Sequence, residues 1–169
     1  MGGYVAFRLH ARWPTRVAGF VFADTRAGAD DEAGRTKRSD QAERVRREGV
    51  GWMPDALVPG LLGEATRRER WAVVDAVRAW IADANPEGIA QALLAMRDRP
   101  DSTSALSGID VPVLVLVGEE DTLTPVAEAR RIAESVPRGR LAIIPGAGHL
   151  SNLENPDAFS RELASFLGE

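Results

Sequence analysis

From residue 111 onward the chain twice repeats one unit, a short apolar run followed by an amphipathic helix, and this pattern constrains the fold more than any other feature. Residues 111–117 and 140–144 read as strands: short, apolar and rich in β-branched side chains. Thr124-Pro125 marks a helix start, with Thr124 as N-cap and Pro125 at the first position of a helix over residues 125–136. Pro137-Arg138-Gly139 ends it. Asn155-Pro156 opens the last helix, with Phe159, Leu163, Phe166 and Leu167 on its buried face. Strand–helix–strand–helix order implies an α/β fold with a parallel sheet and right-handed crossovers.

The first 24 residues supply one more such pair in the opposite order. Residues 1–12 read as a helix with Val5, Ala6 and Leu9 on one face and Arg8 and Arg12 off it. Gly2 and Gly3 fit a helix start packed tightly on a strand, where a side chain would hold the backbones apart. Residues 16–23, closed off by Pro14 and Asp24, read as a buried strand. Residues 25–105 differ in character: they are charge-rich and hold Trp52, Trp71 and Trp80. Helical spacing recurs over residues 30–47, in short pieces over 50–62, over 66–83, and over 86–96. The expected organisation is a core of residues 1–24 and 106–169, with residues 25–105 as a helical excursion between two strands of one sheet.

Composition removes several classes of function. The 169 residues carry a formal charge of −4, so no basic footprint for nucleic acid or acidic membranes is expected. No apolar run approaches the roughly 20 residues needed to span a bilayer. Zero cysteines exclude disulfides, thiolate metal sites and a cysteine nucleophile, and His10 and His149 are too few for a histidine-rich metal site. No metal or cofactor is expected. The opening residues lack a charged-then-apolar export pattern, so the expected location is the cytoplasm.

In parallel sheets functional groups collect beyond the carboxyl ends of strands. Asp24, Asp121 and His149 all fall there. A neutral histidine needs a partner on one ring nitrogen to fix its tautomer while the other takes a proton. A carboxylate on one loop and a histidine on the next supply that pair. Each residue also has a plainer reading. Asp121 suits a turn, His149 suits a hydrogen-bonded loop histidine, and Asp24 suits a cap for the segment at Thr25.

The residues also resemble a family. Met1-Gly2-Gly3-Tyr4-Val5-Ala6 is similar to the stretch that follows the nucleophile in the G-x-S-M-G-G elbow of α/β-hydrolases, of which small bacterial esterases and lactonases are members. The likeness continues through Pro14-x-Arg16-Val17-x-Gly19, Ala23-Asp24-Thr25-Arg26-Ala27 and Pro112-Val113-Leu114-Val115. It ends with Gly118-x-x-Asp121-x-x-Thr124-Pro125 and Gly146-x-Gly148-His149-x-x-x-x-Glu154-x-Pro156. The resemblance implies a truncated α/β-hydrolase fold of about three parallel strands with flanking helices and a helical cap. It implies Asp121 and His149 as the acid and base of a catalytic triad. The family's serine would stand one position before Met1, and its oxyanion loop and first strands have no counterpart among these residues.

The expected activity is therefore weak hydrolysis of small carboxylic esters by an Asp–His pair. Water serves as nucleophile, with Ser151 as a candidate substitute and the Met1 α-amine as a more remote one. The alternatives are a non-catalytic binding or assembly module, or a hydrolase fragment completed by a partner. A strand at 16–23 without proline or inward charge, deprived of one neighbour, leaves an open edge, so a homo-oligomer paired through residues 16–23 is expected.

Overall fold

The computed structural model describes residues 1–168. Three strands, β1 (Phe20–Ala23), β2 (Val113–Gly118) and β3 (Gly139–Ile144), form one parallel sheet in the order β1-β2-β3. The register pairs Phe20 with Val113 and Val113 with Gly139. The α/β class and the three parallel strands match the sequence expectation. The first strand is shorter than expected: Pro14–Arg16 forms a 3-10 turn, and pairing begins only at Phe20. Pro14 fixes one backbone angle and has no N–H to give to a ladder, so the residues after it enter the sheet late.

Helix α1 (Gly2–Arg12) precedes β1. Its buried residue is Phe7, stacked on Phe22 of β1, while Val5 and Leu9 of the expected face are exposed. Five helices stand between β1 and β2: α2 (Glu32–Glu48), α3 (Met53–Leu61), α4 (Glu64–Glu69), α5 (Trp71–Ala82) and α6 (Pro86–Arg97). The single helix expected over 66–83 is two, α4 and α5, broken at Arg70. The guanidinium of Arg70 reaches the backbone carbonyls of Leu153 and Glu154, a distant contact that no local pattern signals. Trp71 and Trp80 lie on the exposed side of α5, and Val74 and Val77 on its buried side. After β2 come α7 (Val126–Ser135), β3, the short α8 (Ser151–Glu154) and α9 (Pro156–Leu167).

Alternation along β2 explains why its whole sequence is apolar. Val113, Val115 and Val117 pack with Phe7, Phe20, Phe22, Ile132 and Val136, under α1 and α7. Leu114 and Leu116 pack on the other face with Ile144, Ala158, Phe159 and Phe166, under α9. A strand covered on both faces gains from burial at every position. The helices between β1 and β2 bury their own groups, Ala42, Val45, Met53, Ala90 and Leu93 in one and Val58, Leu62, Val74 and Val77 in another. Leu150 and Leu153 pack against the latter group and join it to the loop after β3. On α9, Leu167 is exposed, so the buried face is narrower than its sequence implies.

Candidate active site

The loops after β2 and β3 are held edge to edge by the backbone. Glu119 N–H donates to the Ile144 carbonyl at 2.9 Å and Glu120 N–H to the Ala147 carbonyl at 2.8 Å. Gly118 makes this approach possible, because a Cβ there would collide with the carbonyls of Ala147 and Gly148. Gly146, with φ of 61°, turns the chain after β3 in a conformation that favours glycine. The zipped loops bring Asp121 and His149 into contact, with His149 Nδ1 2.8 Å from Asp121 Oδ2.

Asp121 is buried and well supported. Its Oδ1 accepts the N–H groups of Leu123 at 2.8 Å and Thr124 at 2.9 Å. Its Oδ2 accepts the Thr124 hydroxyl at 2.6 Å. Burial works against the charge, but hydrogen bonds from His149 and Thr124 hold the carboxyl below its usual range. Asp121 therefore shapes a turn and meets the histidine at once. Thr124 does not act as the N-cap of α7. Pro125 occupies that position, and the Thr124 hydroxyl lies instead between Asp121 and His149, 3.2 Å from Nδ1. The Asp-x-x-Thr spacing carries this alternative; N-cap preference alone conceals it.

With Nδ1 committed to Asp121, Nε2 is left as the second functional atom of the ring, and among the described residues it has no hydrogen-bond partner. His149 lines a cavity of about 470 Å³. The lining also includes Met53, Leu57, Ile89, Leu93 and Met96 of the inserted helices, with Met1 and Tyr4 of the first helical segment. That volume and mixed lining suit a small molecule. Burial, then Arg38 and Arg99, lower the pKa of the Met1 amine.

Asp24 and Ser151 form a second polar pair beside the first. Ser151 is fully buried; its hydroxyl donates to Asp24 Oδ2 at 2.6 Å and its N–H to the same oxygen at 3.3 Å. Asp24 Oδ1 accepts Gly118 N–H at 3.0 Å. One side chain thus ties the ends of β1 and β2 to the histidine loop. Its backbone has φ of 46°, uncommon for a residue other than glycine. Burial, opposed by the bonds from Ser151 and Gly118, pushes its carboxyl up to about 6. Among the described residues no group of three or more His, Asp or Glu is arranged to hold a metal, and no helix is long and apolar enough to cross a membrane.

The same scaffold recurs in known proteins. A family model described as "Alpha/beta hydrolase family" matches residues 1–162. A thermophilic esterase from Thermogutta terrifontis, solved with malate bound, is 40% identical and superposes with a TM-score of 0.96 over 99% of this chain and 61% of its own. The enol-lactonase from Burkholderia xenovorans LB400 is 28% identical with a TM-score of 0.90, covering 100% of this chain and 63% of its own. Among curated proteins, 3-oxoadipate enol-lactonase 2 of Acinetobacter baylyi is 26% identical over 99% of this chain and 61% of its own length. The chain thus spans about three-fifths of the length of these relatives. Across that span, the zipped loops, the parallel sheet and the family match agree: the chain belongs to the α/β-hydrolase family.

Proposed function

We propose that this chain carries the acid–base half of an ester-hydrolysing site, with His149 as general base and Asp121 as the residue that orients it. The observation that carries the reading is the 2.8 Å contact between His149 Nδ1 and Asp121 Oδ2 at the wall of a ligand-sized cavity. In this reading Nε2 takes a proton from an attacking water as its oxygen bonds to the ester carbonyl. Asp121 stays ionised and stabilises the imidazolium. The proton then passes to the departing alcohol as the carbonyl re-forms. General-base catalysis of this kind contributes about 10²- to 10⁴-fold. The esterase and enol-lactonase relatives make a small ester or lactone the proposed substrate class. Residues 25–105 act as the cap that closes over it. Ser151 takes a structural role here, because its hydroxyl is spent on Asp24 in a fully buried position.

A second reading has the nucleophile supplied from outside these residues by a partner segment. It is favoured by the lining of the cavity that holds His149, which includes no serine among the described residues. A third element is assembly. Among the described residues β1 pairs only with β2, and in this reading its outer edge pairs with a second copy across a two-fold axis. Light scattering at twice the chain mass is expected, and a monomer of chain mass overturns this element.

The test of the main reading is hydrolysis of p-nitrophenyl acetate by the purified chain beside His149→Ala prepared identically. Loss of turnover in the variant supports it. Equal rates, or none in either protein, overturn it in favour of a partner-completed site or a binding module.

A further inference from the structure

We propose that Arg26, Lys37 and Arg38 form a carboxylate-binding subsite in the cavity that holds His149, so that the preferred substrate joins a free carboxylate to its ester through a short aliphatic chain. This rests on the hydrolytic reading above.

The starting point is an imbalance of charge around Asp30. Its carboxylate, 2% exposed, receives the guanidinium groups of Arg26, Arg38 and Arg99 together. Burial opposes its charge, but Arg99 and Arg38 hold the carboxyl far below its usual range, so it stays ionised. One anion therefore faces three permanent cations. Asp101 also acts on Arg99, but its own oxygens are taken by the N–H groups of Ala29 at 3.0 Å and Thr103 at 2.8 Å. The other cavity carboxylate, Asp24, accepts from Ser151 and Gly118. Neutral donors leave Asp24 and Asp101 charged, so with Asp30 they match the three arginines, and Lys37 of the cavity lining adds a positive charge beyond that balance.

The three arginines are not equivalent. Arg99 is structural: it is almost wholly buried, donates to the carbonyls of Met96 at 2.7 Å and Gly28 at 2.9 Å, and lies 4.3 Å over the Tyr4 ring. Arg26 and Arg38 are 32% and 20% exposed, and both line the cavity. The Nε atoms of Arg26 and Arg99 are both buried donors with no hydrogen-bond partner. Lys37, one residue before Arg38 on α2, also lines the cavity and forms no ion pair among the described residues. A guanidinium fork matches the two oxygens of a carboxylate, and a lysine adds a mobile point charge. The same cavity is also lined by the apolar side chains of Leu57, Ile89, Leu93, Met96 and Leu123. The cavity therefore offers, within one small volume, an anion site, an apolar stretch and a general base.

The test uses the full chain and separates binding from turnover. Glutarate is titrated calorimetrically into the wild type and His149→Ala, beside uncharged dimethyl glutarate. Glutarate is expected to bind both proteins, at least about tenfold more tightly than the diester, and to weaken in added salt. Lys37→Gln and Arg26→Gln are each expected to weaken glutarate about tenfold. Lys37→Gln leaves the Asp30 cluster intact, so it remains informative if Arg26→Gln fails to fold. Equal affinity for glutarate and the diester, or glutarate binding unchanged in Lys37→Gln, overturns the subsite. Monomethyl glutarate against methyl butyrate then reads specificity in kcat/KM. Charge-dependent glutarate binding without hydrolysis of either ester leaves the subsite standing and removes the hydrolytic reading. Hydrolysis of both esters with no preference for the charged one removes the subsite alone.

Discussion

Glu154 accepts the backbone N–H of Gly148, the residue before the histidine, at 2.8 Å through Oε1. Its other oxygen accepts the N–H of Gly63, at the start of α4, at 2.7 Å. A single buried carboxylate therefore fixes the histidine loop and the inserted helices to each other. Arg70 holds the backbone of the same residue from the helical side. Glutamine offers one oxygen for two donors and turns an amide N–H toward the other. Glu154→Gln is expected to lose about 2 kcal/mol, read as a fall of about 5 °C in Tm.

The Asp121–His149 contact makes a graded kinetic prediction. Asp121→Asn keeps the shape of the turn but replaces an ionised acceptor, and the rate of ester hydrolysis is expected to fall by about 10²-fold or more. Thr124→Val removes a hydroxyl that touches both partners and leaves the carboxylate in place. A smaller loss, about tenfold, is expected there. A larger loss in Thr124→Val than in Asp121→Asn contradicts the assigned roles.

Asp24 ties stability to pH. Its carboxyl sits at about 6 in the fold against an ordinary value of 3.8. Between those values the folded state holds more protons than the unfolded chain, so this group makes stability fall as pH rises from about 4 to about 6. The size is of order 2–3 kcal/mol. The amide of an Asp24→Asn variant cannot ionise. The difference in unfolding free energy between variant and wild type is expected to move toward the variant over that window and then level off. Denaturant melts at pH 4, 5, 6 and 7 measure it; a difference that does not change with pH refutes the assignment.

Close backbone approach makes two glycines costly to replace, each at a different junction. Alanine at Gly118 meets the carbonyls of Ala147 and Gly148, and alanine at Gly148 meets Gly63 N at 2.7 Å. Neither obstacle is a flexible side chain. Gly118→Ala is expected to separate the β2 and β3 loops and to cost about 1–3 kcal/mol together with the Asp121–His149 contact. Gly148→Ala is expected to cost a similar amount at the junction with α4. Gly2→Ala, where nothing lies within 4 Å, serves as the control with no packing clash.

Much of the fold is legible because the relevant forces are local. The apolar run of β2, the stop at Pro137 and the Asn155 cap of α9 each announce themselves within a few residues. Asp121 and His149 are legible as candidates because each follows a strand. N-cap preference misassigns Thr124, because its true partners are chosen in three dimensions. Arg70 breaks a helix that its neighbours would continue, through carbonyls more than 80 positions away. The convergence of Arg26, Arg38 and Arg99 on Asp30 has no sequence signature, since Arg99 lies 69 positions from its partner.

By itself the sequence determined the α/β class, the order of the strands, and which residues sit at the ends of β2 and β3. Those follow from hydrophobic periodicity, proline and glycine, whose effects act over a few bonds. Only the tertiary structure decided that Asp121, Thr124 and His149 share hydrogen bonds, that Ser151 is spent on Asp24, and that Glu154 clamps two separate segments. A hydrogen bond requires two groups within about 3 Å, and that distance depends on how the loops and inserted helices pack rather than on the residues beside either group.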